Sequence, residues 1–483
     1  MLEQIRMKAR ENQQPFVFAA FAVLTGTAIG MGVGHFEHIF LLALPAGLIF
    51  AALTFLNPEQ GLLLFVFITY IRLSDVLVHN FGVPSIAKGM VGLLALSIMS
   101  RWAILKRLPN GWQRVTVMIA AYGLVIFGSL LHGRDYSNAA SAVSDYWKDG
   151  LIAILTVLLL QKRETFRGVI WVLIFAGIFM GSISIHQYLT GNFSSDYFGF
   201  ATASYLNISE GVEGNRISGP LGDPNYYAQI MVFLFPLAVN RFLRENNRIL
   251  KLTAGFAASV IGMTIIFTFS RGGAVAAVLS VMVLVIYHPP KLKNTILILL
   301  AIWIVFLLLP STYTDRMSTL TDLAQGSEAS SAEVSFRGRI SEVLSAWHMF
   351  RDHPILGVGV KNYPVYYQEY SRVIGLDPRS EPREPHNLYL EVAAETGILG
   401  LLAFGAILAS VFQAVRRVHT RLQEWGERDM NSLVGAFSSG VAGYLGAAMF
   451  IHGAYPRYLW LLVGIALSLP QVFSARIMKK DSL

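Results

Sequence analysis

The chain has 483 residues, 54% apolar and 12% aromatic, with only 14% charged. Soluble domains carry about 25% charged residues, so with mean hydropathy at +0.52 a water-soluble globular protein is excluded. The absence of cysteine rules out disulfide scaffolds, thiolate metal sites, iron–sulfur clusters and cysteine nucleophiles. A net charge of +8 would suggest nucleic acid in a soluble protein. In a membrane protein the placement of charge matters more, and no nucleic-acid partner is expected.

Fourteen apolar segments are predicted as membrane spans, near 15–33, 38–56, 60–78, 85–103, 114–132, 147–161, 167–189, 224–241, 250–269, 272–287, 295–309, 388–414, 431–451 and 457–474. Each should be helical, because lipid offers a backbone N–H or C=O no partner outside its own segment. The first four are the least distinct, giving 12–14 spans. The expected fold class is therefore all-α: a polytopic integral membrane protein with eleven spans in 1–309, a large outer loop at 310–387 and the last spans in 388–483. More than half of the 38 Lys and Arg fall in short loops and tails on one side, among them Arg6, Arg101, Lys162, Arg163, Arg167, Arg241, Arg244, Arg416, Arg417, Arg421 and Lys479. The bias of positive charge to the cytoplasm then predicts both termini inside and an uncleaved first span. In the outer loop, 324–335 reads as flexible linker. The run 337–353 spaces Ile340, Val343, Leu344, Trp347 and Phe350 as the apolar stripe of an amphipathic helix, lying on the membrane face or capping a cavity.

Four polar clusters fall at the outer face. In NRISGPLGDPNYYAQ (215–229), glycines and prolines force a turn before a span, and Asp223 or Asn225 caps the helix that Pro224 opens. Its N-terminus favours an anion, and Arg216 stands beside it. A capped helix with an Arg among headgroups explains the same residues. In FTFSRGGAVA (267–276), Arg271 occupies a tight turn on the side disfavoured for positive charge, although an Arg near a membrane end commonly reaches for headgroups. In FRGRISEV, Arg337 and Arg339 open the predicted amphipathic helix, where its dipole repels cations unless an anion is shared. In EPREPHNLYLEVAAETGILG (381–400), His386 stands just before a span. There it is placed to serve as neutral base or hydrogen-bond donor. Asn387, Tyr389 and Glu391 follow it, and Glu391 and Glu395 share one helix face, as functional carboxylates or as a structural ion pair. Arg72 with Asp75, and Lys148 with Asp149, read as structural; His452 and Arg457 are placed to line the same vestibule.

There is no HExxH, P-loop, GxSxG or D-x-D, and the one E-x-D (Glu427, Asp429) lies in an expected cytoplasmic loop. A diphosphate at the outer face would thus be balanced by arginine, with neither metal nor cofactor expected.

The stretches RISGPLGDPN, SRGGA, RGRI followed by DHPILGVGVKNY, and PHNLYLEVAAETGILGLLAF, in this order over about 216–404, resemble the O-antigen ligase-like superfamily of O-antigen ligases, O-antigen polymerases and protein O-oligosaccharyltransferases. The resemblance implies a GT-C-like glycosyltransferase in the bacterial inner membrane. Such an enzyme takes a glycan from undecaprenyl diphosphate on the periplasmic side, without metal and with inversion. It implies that Arg271 and Arg339, with Arg337 competing for the last role, are the family's arginines and His386 its histidine. With Arg216 beside a helix start, the expectation is that Arg216, Arg271 and Arg339 hold the donor diphosphate. His386 would act on the acceptor hydroxyl, with Glu391 orienting it and Asn225, Asn387 and Tyr389 in support. The late, single outer loop favours a ligase with lipid A–core as acceptor; a protein glycosylation ligase and a polymerase are the alternatives. An anion transporter is the reading from another class, and the inverted repeats it would need are not seen in the sequence.

Overall fold

The structure, a computed structural model, describes residue 47 and residues 50–474, apart from 107–110, 210–211, 288, 290–329, 378–380, 452 and 454–456. The expected spans 15–33 and 295–309, most of 38–56, the linker residues 324–329 and His452 lie outside these. Among the described residues, six helices are long and apolar enough to cross a membrane, or seven if one bent pair counts as a single span. The protein is a multi-pass membrane protein.

That bent pair replaces the expected span 60–78. Helices α1 (Pro58–Tyr70) and α2 (Leu73–Phe81) meet at 57°. At the break Arg72 takes a left-handed conformation, φ 56°, and pairs with Asp75 at 2.9 Å. Two charged side chains midway along an apolar run leave the helix there, and Arg72 also donates to the carbonyl of Pro220 at 3.3 Å. Helices α3 (Ile86–Leu105) and α4 (Trp112–Ser129) match their predicted spans closely. Helix α5 (Tyr136–Leu159) starts well before the expected 147–161, because Asp135 caps it by accepting from the Asn138 N–H at 3.0 Å. Lys148 then pairs with Asp145, and Asp149 with Arg457 at 3.5 Å, so both charges expected to be structural are tied down.

Helix α6 (Arg163–Thr190) leads to an element the all-α expectation does not contain, an antiparallel hairpin of β1 (Thr202–Ser209) and β2 (Val212–Gly219). Three helices follow: α7 (Pro224–Arg244), α8 (Arg248–Phe267) and α9 (Arg271–Tyr287). Beyond the undescribed segment come α10 (Ser330–Asp352), α11 (Tyr363–Ile374), α12 (Leu388–Glu424), α13 (Arg428–Ala447) and α14 (Arg457–Val472). Ion pairs join the helix ends at one extremity. Arg163 meets Glu427 at 2.5 Å, Arg167 meets Asp429, and the fully buried Arg241 meets Asp429 at 3.0 Å. The basic residues counted toward the cytoplasmic side thus staple α6, α7 and α13, whose opposite ends gather at the other extremity.

Helix α10 corrects two expectations. It begins at Ser330, inside the expected linker, so Arg337 and Arg339 lie about two turns into the helix rather than opening it. It docks by its small and polar side: Gly338, Ser341, Glu342, Ser345, Ala346 and Met349 are buried, whereas Val343 is 40% and Trp347 51% exposed. A small, polar face fits because its groups find partners inside. The Tyr363 hydroxyl donates to the Glu342 carbonyl at 2.7 Å, and the Tyr367 hydroxyl lies 3.2 Å from Ser341 Oγ.

Helix α12 is broken at Gly397 (φ 64°, ψ −161°), a conformation only glycine adopts readily. The loop 354–359 repairs the break. The N–H groups of Val358 and Gly359 donate to the carbonyls of Ala394 and Glu395, at 2.9 and 3.0 Å, and Ile398 donates to the Pro354 carbonyl at 2.8 Å. Backbone groups freed inside a span must find such partners. The two segments touch main chain to main chain: a Cβ on Gly357 would lie 2.3 Å from the Glu395 carbonyl carbon. Gly357→Ala is expected to destabilise the protein by about 2–4 kcal/mol, read as a lowered unfolding temperature in detergent; an unchanged Tm would contradict this packing.

Candidate functional site

The site assembles where the starts of α7 and α9 meet α10 and the end of α13. Strand β2 delivers Arg216, opposite Ser204 across the hairpin. A short turn then reaches Asp223, whose carboxylate accepts from the N–H groups of Asn225 and Tyr226, at 2.7 and 2.8 Å, with Pro224 in the first turn. Asp223 is therefore the cap of α7, and the Asn225 side chain is left to the site. Its Oδ1 accepts from Arg216 Nη2 at 3.0 Å and from Ser270 Oγ at 2.9 Å.

Between α8 and α9 lie only Thr268, Phe269 and Ser270. Phe269 adopts φ 49°, a strained value for a bulky residue. The turn is held because Arg216 Nε donates to the Thr268 carbonyl at 2.6 Å, and Ser270 Oγ accepts from the Gly273 N–H at 3.1 Å, capping α9. Arg216 is only 5% exposed and acts from behind, bracing Asn225 and the turn.

A cavity opens in front of these residues, lined by Asn225, Ser270, Arg271, Gly272, Gly273, Arg339, Ala447, Phe450 and Ile451. Two guanidinium groups and the starts of α7 and α9 converge on it, and no carboxylate is among the described residues that line it. Like charges placed together, at helix ends whose own partial charge is positive, are costly unless an anion binds between them. Phe450 and Ile451 form an apolar wall, which excludes water and strengthens the field at the cavity.

His386 stands beside the cavity helix. Its backbone is left-handed, φ 38°. Nδ1 donates to the Glu384 carbonyl at 3.0 Å and lies 3.0 Å from Oε2 of Glu342, one turn beyond Arg339 on α10. Burial alone would lower the imidazole pKa; the Glu342 carboxylate and the Glu384 carbonyl outweigh it and hold it above the ordinary value, with Arg339 pulling it down. A carbonyl can only accept, so in the neutral ring the proton is on Nδ1 and the lone pair on Nε2.

The other expected site residues take different places. Arg337 is exposed on α10 and is not among the lining residues. Asn387 caps α12, accepting from Tyr389 and Leu390 N–H groups at 3.0 Å each, and donates to the Met449 carbonyl. The Tyr389 hydroxyl donates to the Leu445 carbonyl at 2.8 Å. Both fix the start of α12 against the end of α13. Glu391, expected to orient His386, instead accepts from the Gly453 N–H at 2.7 Å and lies 3.6 Å from Lys361 Nζ. Lys361 also faces Glu384 at 3.5 Å. Burial opposes its charge, but Glu391 and Glu384 raise its pKa. Glu342, Arg383 and Lys361 are the residues that sequence reasoning missed. The signal for Glu342 was its place one turn after Arg339, on the same helix face.

Inorganic pyrophosphate is expected to raise the Tm of the purified protein by a few degrees, and Arg271→Ala or Arg339→Ala to remove that shift. A shift retained in both variants would contradict an anion site here.

A sequence search among curated proteins finds no match. A family model described as O-antigen ligase matches residues 256–405. That stretch includes Arg271, Arg339 and His386, while Arg216 and Asn225 precede it. The part of the chain that carries the two converging arginines and the paired histidine is thus similar to the O-antigen ligase family.

Proposed function

We propose that the protein is an inverting, metal-independent glycosyltransferase of the bacterial inner membrane, with both termini cytoplasmic. It moves a glycan from undecaprenyl diphosphate to an acceptor at the periplasmic face, with lipid A–core as that acceptor, as in an O-antigen ligase. The observation that carries this reading is the convergence of Arg271 and Arg339 on one cavity, with Arg339 one helical turn from Glu342, which contacts His386.

In this mechanism Arg271 and Arg339 bind the donor's diphosphate, with the helix starts at Asn225 and Ser270 adding N–H dipoles. Arg216 holds the turn that carries Arg271. The acceptor hydroxyl attacks the anomeric carbon from the face opposite the diphosphate. Its oxygen forms the new glycosidic bond, the bond to the phosphate oxygen breaks, and the electron pair leaves with undecaprenyl diphosphate. Charge grows on phosphate oxygens as that bond breaks, so preorganised guanidinium groups stabilise the transition state more than the ground state. The hydroxyl proton passes to Nε2 of His386, a general-base step worth about 10²–10⁴-fold. The polyprenyl tail lies among apolar helices.

Purified protein in proteoliposomes, given lipid-linked glycan and lipid A–core, is expected to form the ligated product in the presence of EDTA. His386→Ala and Arg271→Ala should each reduce turnover by about 10²-fold or more. Near-wild-type turnover by both variants would sink the proposal, as would product that forms only with added metal.

A further inference from the structure

We infer that Glu342 is the positioning residue of His386: beside the Glu384 carbonyl that accepts the Nδ1 proton, it favours that orientation of the ring and stabilises the imidazolium that forms when Nε2 takes the acceptor's proton. This rests on His386 acting as the base, as proposed above.

Glu342 is 1% exposed, in the middle of the face by which α10 docks. A buried carboxylate is costly unless it is paired. Here it is held between the imidazole and a guanidinium, His386 Nδ1 at 3.0 Å and Arg383 Nη1 at 3.4 Å. Arg383 in turn reaches Asp377 at 3.9 Å and Glu381 at 3.9 Å, so its charge is shared among three carboxylates. The Tyr363 hydroxyl on the Glu342 carbonyl fixes the main chain beneath. Glu384, the carboxylate nearest His386 along the chain, faces Lys361 instead, and Glu391 faces Lys361 and the Gly453 N–H.

Among the described residues, the charged groups around the imidazole are therefore Glu342 and Arg339 from α10, Arg383 and Glu384 from the connection before α12, and Lys361 before α11 on Glu384. When the hydroxyl O–H bond breaks and the Nε2–H bond forms, the ring gains a positive charge beside the Glu342 carboxylate. A carboxylate on Nδ1 serves a base in two ways, by holding the tautomer and by offsetting the new charge. Because Arg339 and Glu342 share one rigid turn, the group that holds the donor and the group that sets the base keep a fixed spacing of about 5–6 Å between Cβ atoms.

The test measures kcat, donor KM and the pH–rate profile of the full-length protein in proteoliposomes. The base works when neutral, so turnover climbs with pH through the histidine's pKa, giving an acidic limb above about 6.5 in the wild type. Glu342→Gln is expected to lower kcat by about 10–10²-fold, to leave donor KM within about twofold, and to move the acidic limb to lower pH. Glu342→Asp should restore part of the loss. In the His386→Ala background Glu342→Gln should cost nothing more. If Glu342→Gln does not fold, Arg383→Gln is read instead; it removes the competing cation and should move the limb to higher pH. An unmoved limb with unchanged kcat would overturn the inference, as would an equal loss in the His386→Ala background. If His386→Ala itself turns over like wild type, the base assignment fails as well. If His386→Ala is inactive while Glu342→Gln is normal, only the role of Glu342 falls.

Discussion

The arrangement depends on one electrostatic constraint, the placing of two guanidinium groups together at a wall that includes no acid among the described residues. Arg271 opens α9 and Arg339 lies two turns inside α10, and both reach the cavity in front of Asn225 and Ser270. A doubly charged ligand between the two groups offsets their mutual repulsion. The surrounding scaffold is built to withstand that cost. Arg216, behind the cavity, spends its hydrogen bonds on the Thr268 carbonyl and Asn225, locking a turn that Phe269 leaves strained.

The second half of the site is held through backbone. His386 precedes α12, whose start is fixed to α13 by Asn387 and Tyr389, and whose break at Gly397 is filled by the loop 354–359. That loop is tied to the end of α4, since His132 Nδ1 meets the Gly357 carbonyl at 3.0 Å and Asn362 Oδ1 accepts from the N–H groups of Arg134 and Asp135. A helix broken at glycine and repaired by a neighbouring loop can carry titratable groups at its outer end without leaving main-chain groups unpaired in lipid.

Much of this was legible in the sequence. Pro224 after an Asp announces a helix start, and three of the four outer clusters supply residues to the cavity while the fourth supplies His386. Proline and glycine fix backbone locally, so such signals survive any tertiary context. Other features were not legible because they depend on what lies across the interface. The run 330–335 is polar and reads as linker, yet it is helical. The stripe of Val343 and Trp347 reads as the apolar side of an amphipathic helix. Nothing in it shows that the partner surface offers Tyr363 and Tyr367 hydroxyls, the His386 imidazole and Arg383, which select the small, polar face carrying Glu342. The break at Arg72 was hidden in an apolar run of ordinary span length, and the hairpin before α7 in a connection with weak alternation.

The most direct test is a cryo-EM reconstruction of the protein in nanodiscs with undecaprenyl diphosphate bound. Both phosphates are expected between Arg271 and Arg339, within hydrogen-bond distance of each guanidinium and next to Asn225. Diphosphate density elsewhere, such as on the exposed Arg416, Arg417 and Arg421 at the far end of α12, would contradict the account.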